Sequence, residues 1–181
     1  MRQVTFPIRL RGARREAVKE QFWFPLPTAV RTALIETGFR AGPNMRAFTA
    51  EEMALVREFG PEAIVLPLGL ALSLGDQKQR GLFSLASLNT AIVVLTSIDD
   101  SPLTDAHRDI LWSAFGVPIF EQLRGADGAV IARECEVHDG LHLVGTSENL
   151  GGDAIPGHCA CGSDKPRLRH VRPVREQSAA A

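Results

Sequence analysis

The residues best suited to chemistry are three cysteines and three nearby histidines in the last third of the chain. Cys135 is followed after six residues by His142, then after sixteen by Cys159, and after one more by Cys161. Thiolates and an imidazole arranged as two pairs suit tetrahedral zinc. Gly157 and Gly162 flank the second pair and let its loop bend around an ion. A full set of three cysteines and one histidine leaves no open coordination position, so the ion would be structural. The spacing is not a Cys-x-x-Cys knuckle and leaves alternatives open. His138 or His158 could replace His142 as a ligand, or the thiols could be inert, or form a redox pair or disulfide. Cys135 beside His138 or His142 could also be a thiolate–imidazole nucleophile.

Other candidates have plainer readings. His107 falls on the apolar face of a helical pattern, where a hydrogen-bonded core histidine is the usual outcome. Asp99 and Asp100 follow an apolar run, at the place where α/β sheets bind ligands but also where turns are capped. Arg9, Arg11, Arg14 and Arg15 near one end, with Arg167, Arg169, Arg172 and Arg175 near the other, could form a basic surface. No aromatic residues interleave the second group, so two solvated termini are the expectation. Phe22, Trp23 and Phe24 read as a staple packing an N-terminal arm onto the domain, or as a partner-binding patch.

These residues need elements to hold them. Thr28 to Thr37 reads as a short helix stopped by Gly38. Thr49 with Glu52 forms a capping box before a second helix ended by Gly60-Pro61. Ala63 to Pro67 is a short apolar strand, while Leu68 to Leu74 fits a buried helix turn or a loop equally. Gly81 to Leu88 is a weak helix pattern. Thr90 to Thr96 has the β-branched run of a buried strand. Ser101 and Pro102 then open a helix running to Phe115, with Leu103, His107, Ile110, Leu111 and Ala114 on one face. Val117 to Phe120 completes a βαβ unit, which implies a parallel sheet. Ala129 to Cys135 and Leu141 to Val144 read as a hairpin with Asp139-Gly140 at its turn. Gly151 to Gly162 reads as loop, and Arg167 to Arg175 as a basic tail region.

The expected fold class is therefore α/β: a small, mostly parallel sheet with flanking helices, plus a C-terminal β-hairpin zinc-binding subregion. One domain is expected over residues 1–176, with the zinc subregion at about 129–168 and a disordered tail at 177–181. A chain of 181 residues with 45% apolar and 23% charged residues can build a core without covalent staples. The formal net charge of −1 gives no case for a nucleic-acid or membrane partner. Only three of the twenty basic residues are Lys, a bias that a GC-rich genome explains without function. The longest apolar run, Ala63 to Leu74, is too short to cross a bilayer. No signal-peptide core is visible and the cysteine count is odd, so a cytoplasmic setting is expected.

Several segments resemble phenylacetate–CoA ligase-like proteins of the adenylate-forming acyl-CoA ligase superfamily. They are Thr90 to Leu103, then Arg108 and Ala114-Phe115-Gly116, then Glu134-Cys135-Glu136-Val137-His138-Asp139-Gly140-Leu141-His142, and finally Cys159-Ala160-Cys161-Gly162 with Pro166-Arg167-Leu168. The likeness covers roughly residues 60 to 170. Glu-Cys, Gly-Leu-His and Cys-x-Cys-Gly recur in that order in the family, and some members bind zinc with them. The resemblance thus implies structural Zn2+ on Cys135, His142, Cys159 and Cys161.

The family's catalytic pattern does not carry over. Its Ser/Thr/Gly-rich phosphate loop has no counterpart around Gly69 and Gly75. Its aromatic-Gly-x-Ser/Thr-Glu motif falls on Glu121-Gln122-Leu123-Arg124-Gly125-Ala126-Asp127-Gly128, with the hydroxyl and acidic residues out of register. No catalytic residue is assigned. The expectation is a zinc-stabilised acyl-CoA ligase-like domain that is non-catalytic alone and binds a protein partner or an acyl or nucleotide ligand. The alternatives are an acid-thiol ligase completed by a second chain, and a nucleic-acid-binding zinc module.

Overall fold

The computed structural model describes residues 22–26, 30–144 and 150–173. The expectations for the N-terminal Arg cluster, for Arg175 and for the tail at 177–181 lie outside the described residues.

Among the described residues nine strands form one sheet. Its first half is parallel: β1 (Thr32–Ile35) pairs with β2 (Met45–Phe48) and β3 (Ala63–Pro67), β3 with β4 (Ala91–Ser97), and β4 with β5 (Ile119–Arg124). From β5 onward every pairing is antiparallel, through β6 (Val130–Arg133), β7 (Leu141–Leu143), β9 (Arg167–Pro173) and β8 (Leu150–Ile155). The sheet order is β2-β1-β3-β4-β5-β6-β7-β9-β8. The mixed α/β class agrees with the sequence. The sheet is neither small nor mostly parallel, because the hairpin expected as an appendage continues it.

The two halves differ because their connections differ. Helices α1 (Met53–Phe59), α2 (Leu68–Gln79) and α3 (Asp105–Phe115) carry the chain back between parallel strands. Ala33, Ile35, Ile64, Leu66, Ile92 and Val94 bury one strand face against Val56, Ala71, Leu74, Leu111 and Phe115 of the helices. Leu34, Val65, Val93, Leu95 and Phe120 point the other way and pack with Phe22 and Phe39. Burial on both faces makes the β3 and β4 runs apolar without alternation. Phe22 sits 5.4 Å from Phe39 and 6.3 Å from Phe24, as the staple reading expects.

Several local expectations are corrected. Thr32–Ile35 is a strand, not part of a helix. All four residues are buried between β2 and β3, and that burial outweighs helical propensity. No helix forms at Gly81 to Leu88, whereas Leu68–Gln79 is one. Helix α3 begins after Thr104 rather than Ser101. The Thr104 hydroxyl accepts from the His107 amide, and His107 Nδ1 accepts from the Thr104 amide, each at 3.3 Å. His107 is thus a capping residue. The Thr49–Glu52 capping box is present, with Glu52 accepting from the Thr49 amide at 2.8 Å. Among the described residues no helix is long and apolar enough to cross a membrane.

Candidate metal centre

The hairpin places the first pair of thiol and imidazole groups. Arg133 of β6 lies opposite His142 of β7, so Cys135, two residues beyond β6, enters the turn close to His142. The His138 amide donates to the Cys135 carbonyl at 3.1 Å, and His138 and Gly140 both adopt left-handed backbone to reverse the chain. The second pair comes from the connection between β8 and β9. The Gly162 amide donates to the Cys159 carbonyl at 2.9 Å, closing a tight turn in which Gly162 has φ of +80°. The Leu143 amide donates to the Pro166 carbonyl at 3.0 Å and draws this connection against β7.

One ligand atom from each of Cys135, His142, Cys159 and Cys161 falls within 4.8 Å of all the others. Cys135 Sγ is 3.6 Å from Cys159 Sγ, and Cys161 Sγ is 3.5 Å from His142 Nε2. A tetrahedral site with metal–sulfur bonds of ~2.3 Å and a metal–nitrogen bond of ~2.1 Å has edges of about 3.6–3.8 Å. The two measured pairs match opposite edges of such a tetrahedron. All three cysteines are free thiols, so no disulfide competes for them. The four residues could hold a metal ion. His138 and His158 lie elsewhere: His138 stacks on Phe120 at 4.4 Å and faces Glu134, while His158 faces Asp164 in solvent.

The electrostatics disfavour the nucleophile reading. Burial pushes the Cys135 thiol up to about 12, leaving almost no thiolate at neutral pH without a nearby cation. The Cys161 amide hydrogen bond pulls Cys159 down, and burial pulls His142 down, which keeps its imidazole neutral and able to ligate. With Nε2 toward the cluster, Nδ1 carries the proton. That atom is buried without a close acceptor, and the Lys165 carbonyl is the backbone group acting on the ring.

The sequence places Arg167 in a basic tail, and the structure corrects this. It is buried on β9 and ties both ligand-bearing turns together. Its guanidinium donates to the Asp139 carboxylate at 2.5 Å, to the Asp139 carbonyl at 3.2 Å and to the Gly157 carbonyl at 3.3 Å. Arg169 donates to the other Asp139 oxygen at 2.7 Å. First Arg169 and then Arg167 hold the Asp139 carboxyl below its ordinary range. These arginines are tied internally and offer no free basic arm. The segment expected as loop from Gly151 carries strand β8. A Cβ on Gly152 would stand 2.8 Å from the Arg169 carbonyl oxygen, so the close pairing with β9 needs a glycine there.

Comparison with known proteins gives a fold and no family. No family model matches the chain, and no curated protein matches its sequence. Among solved structures it is similar to an open conformation of 2-hydroxyisobutyryl-CoA ligase in complex with 2-HIB-AMP and CoA. The TM-score is 0.50 at 11% sequence identity, over 70% of this chain. The chain spans 32% of that ligase's length. The likeness is one of fold, to a fragment of an acyl-CoA ligase.

Proposed function

We propose that this chain is a zinc-stabilised, acyl-CoA ligase-like domain that performs no adenylation by itself and acts as an accessory module for a protein partner or small ligand. The observation that carries it is the convergence of Cys135, His142, Cys159 and Cys161 within 4.8 Å, from two turns clamped by Arg167. Three thiols and an imidazole are a donor set for zinc, and their saturation of a tetrahedron favours a structural ion. The ion would join the hairpin β6–β7 to β8–β9, where among the described residues the buried apolar cluster is Leu123, Ala132 and Leu141, with Ile98, Ile131 and Leu143 partly buried against it. Where the apolar core is so small, a metal supplies what packing cannot. The non-catalytic half rests on the segment from Glu121 to Gly128. Its first residues form β5 and its last a tight turn, with no hydroxyl or acidic pair in the register that resemblance to the ligases would require.

The test is elemental analysis of protein purified without added metal, before and after chelation. One zinc per chain, lost with the structure around β7–β9, supports the reading; no metal and an unchanged stability refute it. A second reading rests on the fold likeness to an acyl-CoA ligase: carboxylate activation completed by a second chain. Carboxylate-dependent pyrophosphate release from ATP, by this chain with a candidate second chain, would establish it. In that case the accessory role fails and the metal proposal stands.

A further inference from the structure

A cavity of about 1210 Å³ lies beside α3, bounded by the turn after β4, by β5, and by the β6–β7 turn and β9. Pockets that enclose small organic ligands run to roughly 300–1000 Å³, so this one has room for such a molecule. Leu103, Ile119, Leu123 and Leu141 give it a buried apolar floor.

The charge in and around that floor is lopsided. Glu121 lines the cavity and is only 7% exposed. One of its carboxylate oxygens accepts from the Thr96 hydroxyl at 2.7 Å, while the other stands 3.7 Å from the Arg108 guanidinium, beyond hydrogen-bond reach. Arg108 is committed elsewhere, donating at 2.8 Å to Glu134 and at 2.8 Å to the Ile119 carbonyl. Two buried carboxylates therefore share one guanidinium. Burial, and then Glu134, push the Glu121 carboxyl up, against the pull of Thr96, Arg108 and the Leu103 amide. The other lining arginine, Arg169, is paired with Asp139. At the rim, Asp100, Asp105 and Asp109 are exposed and have no ion pair among the described residues. Trp112 lines the same cavity with 56% of its surface exposed, although large aromatic rings are ordinarily well buried.

We infer that this cavity is a binding site for an organic cation with an apolar body, an alkyl or aryl amine. Its ammonium group would meet the Glu121 carboxylate, its hydrocarbon part the leucine-rich floor, and Trp112 would cover it from the rim. A buried carboxylate that lines a cavity, bound by the Thr96 hydroxyl but with the Arg108 guanidinium 3.7 Å away, is the complement of an N–H cation, and an aromatic ring at the mouth adds a cation–π contact. An anionic ligand such as a nucleotide or acyl-CoA would meet five carboxylates here against two guanidiniums that are already paired. This narrows the ligand half of the proposed function, and it rests on the metal only through the hairpin wall that the metal would steady.

The test uses the full chain as purified, with its metal content measured on the same sample. 2-Phenylethylamine and phenylacetate share a skeleton and differ in the sign of their charge. Isothermal titration is expected to show the amine binding at least about tenfold more tightly than the acid. Glu121→Gln keeps the shape and an acceptor for Thr96, and should weaken the amine by about tenfold or more. Trp112→Ala, at an exposed position that threatens folding little, should weaken it about two- to fivefold. The inference is overturned if phenylacetate binds as tightly as the amine, or if both variants bind the amine like the parent. It is equally overturned if no amine binds below about 10 mM. Full metal content beside any of those failures leaves the metal reading intact.

Discussion

Arg108→Met would remove the guanidinium that two buried carboxylates share while keeping a side chain of similar length. In the parent, Arg108 makes two 2.8 Å hydrogen bonds, one to Glu134 and one to the Ile119 carbonyl, and a looser contact to Glu121. A hydrogen bond to a charged group contributes roughly 1.5–3 kcal/mol, and breaking a buried pair by removing one partner costs roughly 3–5 kcal/mol. The Arg108 side chain is 25% exposed, so the lower end applies: a loss of about 3 kcal/mol near neutral pH. For a domain of this size that is a fall in melting temperature of roughly 6–12 °C. The pH dependence has a definite sign. Glu121 already titrates above its ordinary value because of burial, and losing Arg108 moves it further in that direction. A carboxyl raised in the folded state contributes stability that is fully present below its unfolded pKa of about 4.5 and is lost as pH rises through the folded value. The deficit of the variant should therefore be largest at pH 7 and shrink towards pH 5. Urea denaturation of parent and variant at both pH values measures it, and adding Glu134→Gln to the variant should recover about 1 kcal/mol. A loss below about 0.5 kcal/mol, or a deficit that grows on acidification, would refute the reasoning.

Other consequences concern the metal centre and two glycines. Cys159→Ser should leave well under one zinc per chain by elemental analysis, and hydrogen exchange should lose protection in β7–β9 while β3 and β4 keep theirs. Gly140→Ala should lower stability by about 2 kcal/mol or more, because φ there is +81° and the added carbon would collide with Ile155 Cδ1 and stand 3.0 Å from the Leu168 carbonyl oxygen. Thermal melting combined with a metal assay reads it, and an unchanged melting temperature would contradict the geometry. Gly75→Ala in α2 should instead raise stability by about 0.5–1 kcal/mol in chemical denaturation, since its new contacts, 3.6 Å to Leu111 and 3.7 Å to Ala114 and Phe115, are ordinary ones.

Features that rest on residue type and near neighbours are legible along the chain. The cysteines could be picked out as candidate ligands because few side chains ligate a soft cation, but residue type left His138 and His158 open beside His142, and the fold brings His142 to the thiols. The capping box at Thr49 and Glu52, and the β-branched run of β4, are local signals that the fold left in place. Tertiary structure decided what depends on being covered. Thr32–Ile35 became a strand because β2 and β3 flank it, and β8 and β9 exist although glycine and arginine give them no apolar pattern. Their pairing is a backbone ladder, and Arg167 of β9 reaches Asp139 in the β6–β7 turn, 28 positions away in the chain. The cavity beside α3 draws its walls from segments between Ser97 and Arg169, and no window along the chain contains it. Short-range preferences are written residue by residue, whereas burial, charge pairing and enclosure are properties of surfaces that exist only once distant segments meet.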